Sequence, residues 1–387
     1  MVKSGLTVLQ VIPELNAGGA ERTTLEMTEA IVAAGGHALV ASEGGRMDDE
    51  LAQLGGELIR LPLKSKSPIT LWQNRNALRR VISERRVDLV HARSRAPAWS
   101  ALWAARASQI PFITTYHGAY GGRSKLKVFY NSVMARGDLV IANSEYIADH
   151  ICVTHELPAE RIVTIPRGVD LRIFSPENLD LDRVQSLRTD LINERKYLFL
   201  LPGRLTEWKG QRVFLEALNR LSDAEKSEIT AILVGDAQGR TAYLEGLKSQ
   251  ISAFHLDELV KISGHYSDMP SLYAASDLVL APSTRPEAFG RVAIEANAMG
   301  KPVIASDHGG QRETVRSGQT GWLTKPGDVD ELADAMRRFL NQSETGLTNM
   351  SRSAMEHVRS KYTTQALQAA TLHVYDRVLS QTPGSTT

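Results

Sequence analysis

Short apolar runs rich in β-branched residues alternate with longer amphipathic stretches along this chain, and this alternation restricts its fold more than any other feature. Strand and helix patterns in alternation are typical of parallel sheets with helices on both faces. The pattern runs through the first half, gives way to a polar segment, and begins again at residue 197. The runs predicted as strands are 6–13, 37–42, 57–61, 88–92, 112–116, 139–143, 162–166, 197–201, 229–234, 259–263, 277–281, 302–305 and 321–323.

The length favours two domains, because 387 residues exceed one ordinary α/β domain and suit two of about 150 to 200 residues. The helical patterns lie over 20–34, 210–221, 240–254, 291–299, 329–340 and 363–379. We expect two Rossmann-like doubly wound parallel-sheet domains facing across a cleft. They would occupy residues 1–170 and 197–361, with a polar linker over 171–196 and a final helix and tail over 362–387.

Composition excludes several classes of protein. A single cysteine, Cys152, forms no internal disulfide or zinc cluster, so a reducing compartment is expected. The apolar run 6–13 is too short for a signal peptide, and no run reaches the roughly 18 to 20 apolar residues that span a bilayer. A net charge of +1 does not predict nucleic-acid binding. We therefore expect a cytoplasmic protein, with contact at the inner face of the plasma membrane as an option.

Charge is unevenly distributed, because the stretch 60–136 holds fifteen Lys and Arg residues but only Glu84 and Asp88 as acids. Such an excess attracts anions, although a solvated surface is the simpler interpretation. The more specific interpretation is that these cations bind an anionic acceptor or an anionic membrane surface. Trp72 lies among these cations, so its helix either rests on a membrane interface or buries Trp72 in the core. The cations are Arg60, Lys64, Lys66, Arg75, Arg79, Arg80, Arg85, Arg86, Arg93, Arg95, Arg106, Arg123, Lys125, Lys127 and Arg136.

Two loops of the first half carry residues suited to a ligand. Gly18 and Gly19 follow the first strand and precede a helix, where free backbone N–H groups can meet an anion. The segment is not the GxGxxG of dinucleotide sites, and a tight strand-to-helix turn would explain it equally well. His117 follows the strand 112–116, where it could donate to a sugar hydroxyl or help to move a proton, or could be a structural histidine.

Two loops of the second half point to phosphate and polyol binding. Arg204 and Lys209 flank the start of a helix after the strand 197–201, a position suited to a diphosphate. Glu287 lies in a loop, Gly290 opens the following helix, and Glu295 lies on it. Two carboxylates at this spacing can accept hydrogen bonds from different hydroxyls of one ligand, such as a sugar and a ribose.

Together these residues resemble the family-4 retaining glycosyltransferases of the GT-B fold, also called glycosyl transferases group 1. The resemblance rests on the Glu287 to Glu295 spacing, the Gly18-Gly19 pair, His117-Gly118, Arg204 with Lys209, and Gly168-Val169-Asp170. It covers nearly the whole chain, and the members most similar in style build bacterial lipopolysaccharide and other envelope polysaccharides.

The resemblance implies a role for each matched residue. The donor would be a UDP-, GDP- or ADP-sugar, and the acceptor an anionic glycan or lipid-linked molecule. Arg204 and Lys209 would hold the diphosphate, Glu287 the donor sugar and Glu295 the ribose. The implied catalytic residues are His117, Arg204, Lys209 and Glu287; the implied donor-binding residues are Gly18, Gly19, Arg204, Lys209, Glu287, Phe289, Gly290 and Glu295.

The resemblance also implies transfer of a hexose or related sugar with retention, by front-face attack and without a cofactor or a metal. Asp180-Leu181-Asp182 spells the Asp-x-Asp of metal-dependent transferases, but it lies in the predicted linker and follows no strand, so chance is the better explanation. Two other functions stay open. A nucleotide-sugar epimerase on this fold would convert a donor incubated alone, and a binding protein would hold the donor without turnover.

Overall fold

The computed structural model describes residues 5–16, 18–120, 124–192 and 195–381. The chain divides into two compact units, one formed by Met1–Arg167 with Thr364–Thr387 and the other by Gly168–Thr363.

The first unit is built on a parallel sheet in which, among the described residues, seven strands are ordered β3-β2-β1-β4-β5-β6-β7. Its central strands are buried along their whole length, because helices cover both faces of the sheet. The strand order reverses between β1 and β4, which places a crevice at their carboxyl ends. The strands are β1 Thr7–Val11, β2 His37–Ser42, β3 Glu57–Arg60, β4 Leu89–Ala92, β5 Phe112–Tyr116, β6 Leu139–Ala142 and β7 Ile162–Thr164.

Helices connect these strands and bury one face each. In the first helix, Leu25, Met27 and Ile31 are buried, and the polar residues Glu26 and Thr28 are buried between them. The helices of this unit before its carboxyl-terminal return are α1 Gly19–Ala33, α2 Asp48–Gln53, α3 Pro68–Glu84, α4 Arg95–Ala107, α5 Lys125–Asn131 and α6 Glu145–His155, with 3-10 turns at Ser132–Ala135 and Ala159–Arg161.

The second unit repeats the design with six described strands, all parallel and ordered β10-β9-β8-β11-β12-β13. Its strand order reverses between β8 and β11, so the loops after these two strands share the carboxyl edge of the sheet. The strands are β8 Tyr197–Pro202, β9 Ile229–Val234, β10 Val260–Ser263, β11 Leu278–Ala281, β12 Val303–Ser306 and β13 Gly321–Thr324.

The helices of the second unit pack on both faces of that sheet. The helix Val329–Leu340 shows why they form: Asp328 accepts a hydrogen bond from the Glu331 backbone N–H at 3.0 Å, and Leu332, Met336 and Phe339 share the buried face. The helices are α7 Leu181–Ile192, α8 Gln211–Asn219, α9 Asp223–Ser227, α10 Thr241–Ala253, α11 Met269–Ala275, α12 Arg291–Ala298, α13 Gln311–Thr314, α14 Val329–Leu340 and α15 Glu344–Lys361, with 3-10 turns at Pro176–Asn178 and Glu207–Lys209.

The chain then returns to the first unit through α16, Thr364–Gln381. Hydrogen bonds hold α16 there, including those of Tyr375 and Gln368. The Tyr375 hydroxyl lies 2.7 Å from Nδ1 of His91, and Gln368 donates to the Glu26 carbonyl at 2.8 Å. The first unit therefore consists of two segments that are distant in sequence.

The predicted fold class is confirmed, since both halves are doubly wound parallel sheets. The structure differs from the predicted linker over 171–196, because this segment contains α7 and lies in the second unit. Val184, Leu187 and Leu191 form one face of α7 and pack on the core of that unit. Asp180 caps α7 by accepting from the backbone N–H of Asp182 at 3.1 Å, which gives the first Asp of the Asp-x-Asp sequence a structural role. Asn193 and Glu194 lie outside the described residues.

Candidate active site

The loops after β8 and β11 contact each other at the carboxyl edge of the second sheet. The Thr284 backbone N–H donates to the Trp208 carbonyl at 2.8 Å. Gly210 has a φ of 79°, and a Cβ at this position would lie 1.9 Å from the Pro282 carbonyl oxygen. Glycine at 210 therefore allows the two loops to approach closely enough for their side chains to meet.

Lys209 and Glu287, both predicted as site residues, form an ion pair between these loops. Lys209 Nζ lies 2.9 Å from Glu287 Oε1, and the two side chains are only 14% and 12% exposed. Ser283 donates a further hydrogen bond to the same carboxylate oxygen at 2.5 Å. Lys209 Nζ also lies 4.6 Å from the centre of the Trp208 ring. This pair places a group suited to phosphate beside a group suited to sugar hydroxyls.

Arg204 lies on the same loop as Lys209, but its side chain is exposed. Its carbonyl oxygen accepts a hydrogen bond from Gln211 at 3.0 Å, which ties the loop to the start of α8. The structure thus brings the Arg204 backbone to the edge of the site and leaves its guanidinium in solvent.

Around the amino end of α12, Gly290 precedes the helix with a φ of 95°. The Phe289 side chain is buried against Tyr362, so its ring is not available to a ligand. Glu295 lies on α12 and accepts a hydrogen bond at 3.0 Å from the hydroxyl of Tyr273 on α11. Burial and the Glu295 carboxylate raise the pKa of Tyr273 well above its ordinary value, so Tyr273 remains a hydrogen-bond donor.

The predicted residues of the first unit form a second group, at the carboxyl edge of its own sheet. Gly18 precedes α1, Gly19 is its first residue, and His117 follows β5. Arg167, which sequence reasoning did not select, links them. It donates to Nδ1 of His117 at 2.8 Å, and a Cβ on Gly19 would lie 2.0 Å from its Nη1. The one available signal was its place directly before the Gly168-Val169-Asp170 motif.

The basic stretch 60–136 is less positive in the structure than in the sequence, because acids from outside it pair with its cations. Arg60 pairs with Asp48 at 2.6 Å and Arg106 with Asp138 at 2.6 Å. Lys64 and Arg85 pair likewise with Glu14 and Glu57, and Arg93 is buried. Arg123 lies outside the described residues.

Exposed cations nevertheless lie beside exposed apolar side chains on α3 and α5. Trp72 is 59% exposed and Ile69 71% exposed on α3, a helix that also carries the exposed Arg79 and Arg80. The alternative that Trp72 is buried in the core is therefore wrong. On α5, Leu126 and Phe129 are exposed, and Lys125 and Lys127 are the chain neighbours of Leu126. We call these side chains on α3 and α5 the amphipathic surface.

The described part of the chain contains neither a grouping of side chains suited to a metal ion nor a helix suited to span a membrane. Within 5–16, 18–120, 124–192 and 195–381, no three His, Cys, Asp or Glu side chains are grouped so that they could hold a metal ion. Over the same ranges, no helix combines the length and the apolar character required to span a membrane.

Two family models match this chain. Residues 183–357 match the model of the glycosyl transferases group 1, and residues 17–173 match the model of glycosyltransferase family 4. The group 1 match contains the Lys209–Glu287 pair and Glu295, whereas the family-4 match contains Gly18, Gly19 and His117. The predicted residues of both units thus lie inside the matched segments.

Solved structures and curated relatives agree with these matches. A glycosyltransferase from Rickettsia africae is 31% identical, with 98% of this chain and 100% of that chain covered and a TM-score of 0.89. The Anabaena protein HepE, solved with UDP-glucose, is 25% identical, with 96% and 100% covered and a TM-score of 0.84. D-inositol 3-phosphate glycosyltransferase 1 of Catenulispora acidiphila is 27% identical over 288 residues, which are 70% of this chain and 68% of that relative. Other relatives named D-inositol 3-phosphate glycosyltransferase match over 48% to 59% of their own length.

The solved Rickettsia africae glycosyltransferase matches over its full length, and its identity of 31% exceeds that of HepE. Together with the two family models and the two doubly wound sheets, this match shows that the chain belongs to the glycosyltransferases of the GT-B fold, with a family-4 first half and a group 1 second half.

Proposed function

We propose that this chain transfers a hexose or related sugar from a nucleoside-diphosphate sugar to a hydroxyl of an anionic acceptor, with retention of anomeric configuration. The observation that carries the proposal is the ion pair of Lys209 and Glu287, 2.9 Å apart, on the two loops at the carboxyl edge of the second sheet. A diphosphate calls for fixed cations and a sugar calls for carboxylate acceptors, and this edge supplies both.

UDP-glucose is the first donor to test, because the similar protein HepE was solved with UDP and with UDP-glucose. In this proposal Lys209 neutralises the diphosphate, Glu287 accepts hydrogen bonds from sugar hydroxyls, and Glu295 accepts from the ribose. The backbone N–H groups of Phe289 and Gly290 lie at the amino end of α12, where the helix dipole favours an anion. GDP- and ADP-sugars belong in the same donor panel.

The proposed reaction is a front-face displacement without a metal. The bond between the anomeric carbon and the diphosphate oxygen breaks, and the acceptor oxygen bonds to the same face of that carbon. The acceptor proton passes to the departing diphosphate oxygen, while Lys209 and Arg204 stabilise the charge that develops there. Arg204 is exposed on the loop that carries Lys209, where a ligand can reach its side chain.

For the acceptor, we propose a phosphorylated sugar or lipid-linked glycan used in envelope polysaccharide synthesis, such as lipopolysaccharide, at the cytoplasmic side of the membrane. Two observations support an anionic acceptor. Exposed cations remain on α3 and α5, and the curated relatives are named for D-inositol 3-phosphate, itself an anion. These relatives make inositol phosphate the first acceptor to test, before phosphorylated lipopolysaccharide cores.

The test is calorimetric titration of the full chain with UDP-, GDP- and ADP-sugars, followed by transfer assays with the donor that binds. We expect one donor to bind, little loss of it without acceptor, and a retained product with a phosphorylated acceptor, with or without EDTA. Conversion of the donor alone to an epimer would replace this proposal with epimerase activity. Binding without transfer across an acceptor panel would support a binding protein instead, and loss of transfer in EDTA would contradict the metal-independent step.

We also propose that the amphipathic surface rests on an anionic bilayer. Its exposed Trp72 and Leu126 would enter the interface while the neighbouring cations meet lipid phosphates. In sedimentation with vesicles of equal parts phosphatidylcholine and phosphatidylglycerol, we expect binding that Trp72→Ser with Leu126→Ser abolishes. Leu181→Ser is the matched control, because Leu181 is 72% exposed on α7 in the other unit. Equal loss in the control, or no binding by the wild type, would refute this surface as the contact.

A further inference from the structure

Arg167 and His117 are 50 residues apart in sequence and meet beyond the carboxyl ends of β7 and β5. The Arg167 Nη2 donates to Nδ1 of His117 at 2.8 Å, and only 8% of Arg167 is exposed. A buried guanidinium in a defined contact is costly to place, so its position is informative.

The same guanidinium is fixed by the start of α1. Its Nη1 occupies the space that a Cβ at residue 19 would enter, 2.0 Å away, so any other residue at this position would displace the guanidinium. Glu21, in the first turn of α1, attracts the Arg167 charge; burial raises the pKa of Glu21 while Arg167 acts in the opposite direction. Arg167 is therefore held against His117 by the glycine turn and the acidic first turn of α1.

The chemistry of this contact decides which nitrogen of His117 carries a proton. A guanidinium has only donors, so Nδ1 must present its lone pair to Arg167. A neutral imidazole then carries its proton on Nε2. A proton on Nδ1 would remove this hydrogen bond and place two cations side by side.

We propose that Arg167 is a positioning residue that holds His117 as the neutral tautomer protonated on Nε2, so that His117 acts as a hydrogen-bond donor and not as a general base. The inference rests on the proposed function, in which His117 contacts the donor sugar. It explains the glycine at position 19 by the space that the Arg167 guanidinium needs, without a phosphate. Of the two functional roles that the sequence leaves open for His117, it selects donation to a sugar hydroxyl over proton transfer.

Histidine-selective ¹⁵N NMR of the wild-type full chain at neutral pH tests the tautomer directly. The His117 resonances are identified by their loss in His117→Ala, and we expect the pattern of an Nε2-protonated neutral ring. A ring protonated on Nδ1 alone, or on both nitrogens, would overturn the proposal. This measurement needs no donor or acceptor, so it keeps its meaning even if sugar transfer is never detected.

Kinetics test the dependence on His117. With the donor that the panel identifies, we expect Arg167→Met to lower kcat by about tenfold or more, with UDP affinity changed by less than about twofold. Arg167→Lys should recover part of the rate, because an ammonium also only donates. In a His117→Ala background, Arg167→Met should change kcat by less than about twofold.

Arg161→Met is the matched control, because Arg161 lies six residues before Arg167 in the chain and its guanidinium also makes a defined hydrogen bond, to the Gly137 carbonyl at 2.6 Å. Its kcat should stay near that of the wild type, and thermal melts should show whether Arg167→Met remains folded. An equal loss of kcat from Arg167→Met with and without His117 would show that Arg167 acts on its own, and would overturn its positioning role. If Arg167→Met does not fold, the same comparison is made with Arg167→Lys.

Discussion

If Lys209 binds the donor diphosphate, Glu287 competes with that diphosphate for the same ammonium. Lys209 Nζ lies 2.9 Å from Glu287 Oε1, and both side chains are largely buried. Glu287→Gln keeps the shape of the side chain and removes its charge. We therefore expect Glu287→Gln to bind UDP more tightly than the wild type, although it should transfer sugar more slowly because the amide is a poorer acceptor for sugar hydroxyls.

The magnitude follows from the geometry of the pair. At an effective dielectric constant of about 20, two unit charges this far apart attract each other by about 6 kcal/mol. Desolvation of both ions offsets most of that attraction, and a glutamine oxygen still accepts from Lys209. A net advantage of about 1.5 kcal/mol for the diphosphate corresponds to roughly tenfold tighter UDP binding.

Calorimetric titration with UDP measures the effect in the wild type, Glu287→Gln and Lys209→Met. Glu295→Gln is the matched control, because it makes the same change from carboxylate to amide at a residue that accepts a hydrogen bond from the Tyr273 hydroxyl at 3.0 Å. We expect tighter binding only in Glu287→Gln, and weaker binding in Lys209→Met and Glu295→Gln. If Glu287→Gln binds UDP no better than the wild type, Lys209 does not exchange the carboxylate for a diphosphate, and the proposed donor site is wrong.

Three further predictions concern other residues of the second unit. Tyr273→Phe removes one hydrogen bond to the Glu295 carboxylate, and such a bond contributes about 1.5 to 3 kcal/mol. If about half of the upper figure is lost from donor binding, UDP affinity in titrations falls by roughly tenfold, with kcat little changed. Gly210→Ala should lower the free energy of unfolding in urea by more than about 2 kcal/mol. The control is Gly239→Ala, which has the same φ of 79° but open space around it and should lose only about 1 kcal/mol. Equal losses would contradict the proposed clash at Gly210. Burial lowers the pKa of His357 to about 4, so the unfolded state takes up a proton as the pH falls through about 6.5 and the folded state does not. We expect the unfolding free energy of the wild type to fall by up to about 3 kcal/mol from pH 7 to pH 4, with a smaller fall in His357→Leu.

The strands could be predicted from the sequence because they are buried on both faces, so each is a continuous apolar run between polar loops. Phe112–Tyr116 and Ile229–Val234 are fully buried, and their predicted bounds agree with the structure. Helices with a partly buried face were harder to predict. The apolar face of α7 is only half-buried, and the helix comes after Pro176 in a polar segment. The helix α15 is polar along most of its length. Composition alone therefore favours loops in both segments.

The predicted site residues are those that follow strands, since parallel strands bring their carboxyl ends to one edge. Their partners were not predictable in this way. Arg167 reaches His117 from 50 residues away, and Tyr273 reaches Glu295 from 22 residues away on another helix. Such contacts depend on the packing of whole elements, and a single sequence carries no pattern for them.

Glu287 and Glu295 show why these partners matter for function. In sequence they are the same residue type, eight positions apart, and the motif predicts that both carboxylates accept hydrogen bonds from ligand hydroxyls. In the structure Glu287 is paired with Lys209, and Glu295 accepts a hydrogen bond from the Tyr273 hydroxyl, which stays protonated. The orientation of Glu287 therefore depends on whether Lys209 is engaged elsewhere, and that of Glu295 does not. A diphosphate that engages Lys209 would release Glu287 to accept hydrogen bonds from the sugar. We therefore expect sugar binding at Glu287 to depend on diphosphate binding at Lys209, and ribose binding at Glu295 to be independent of it.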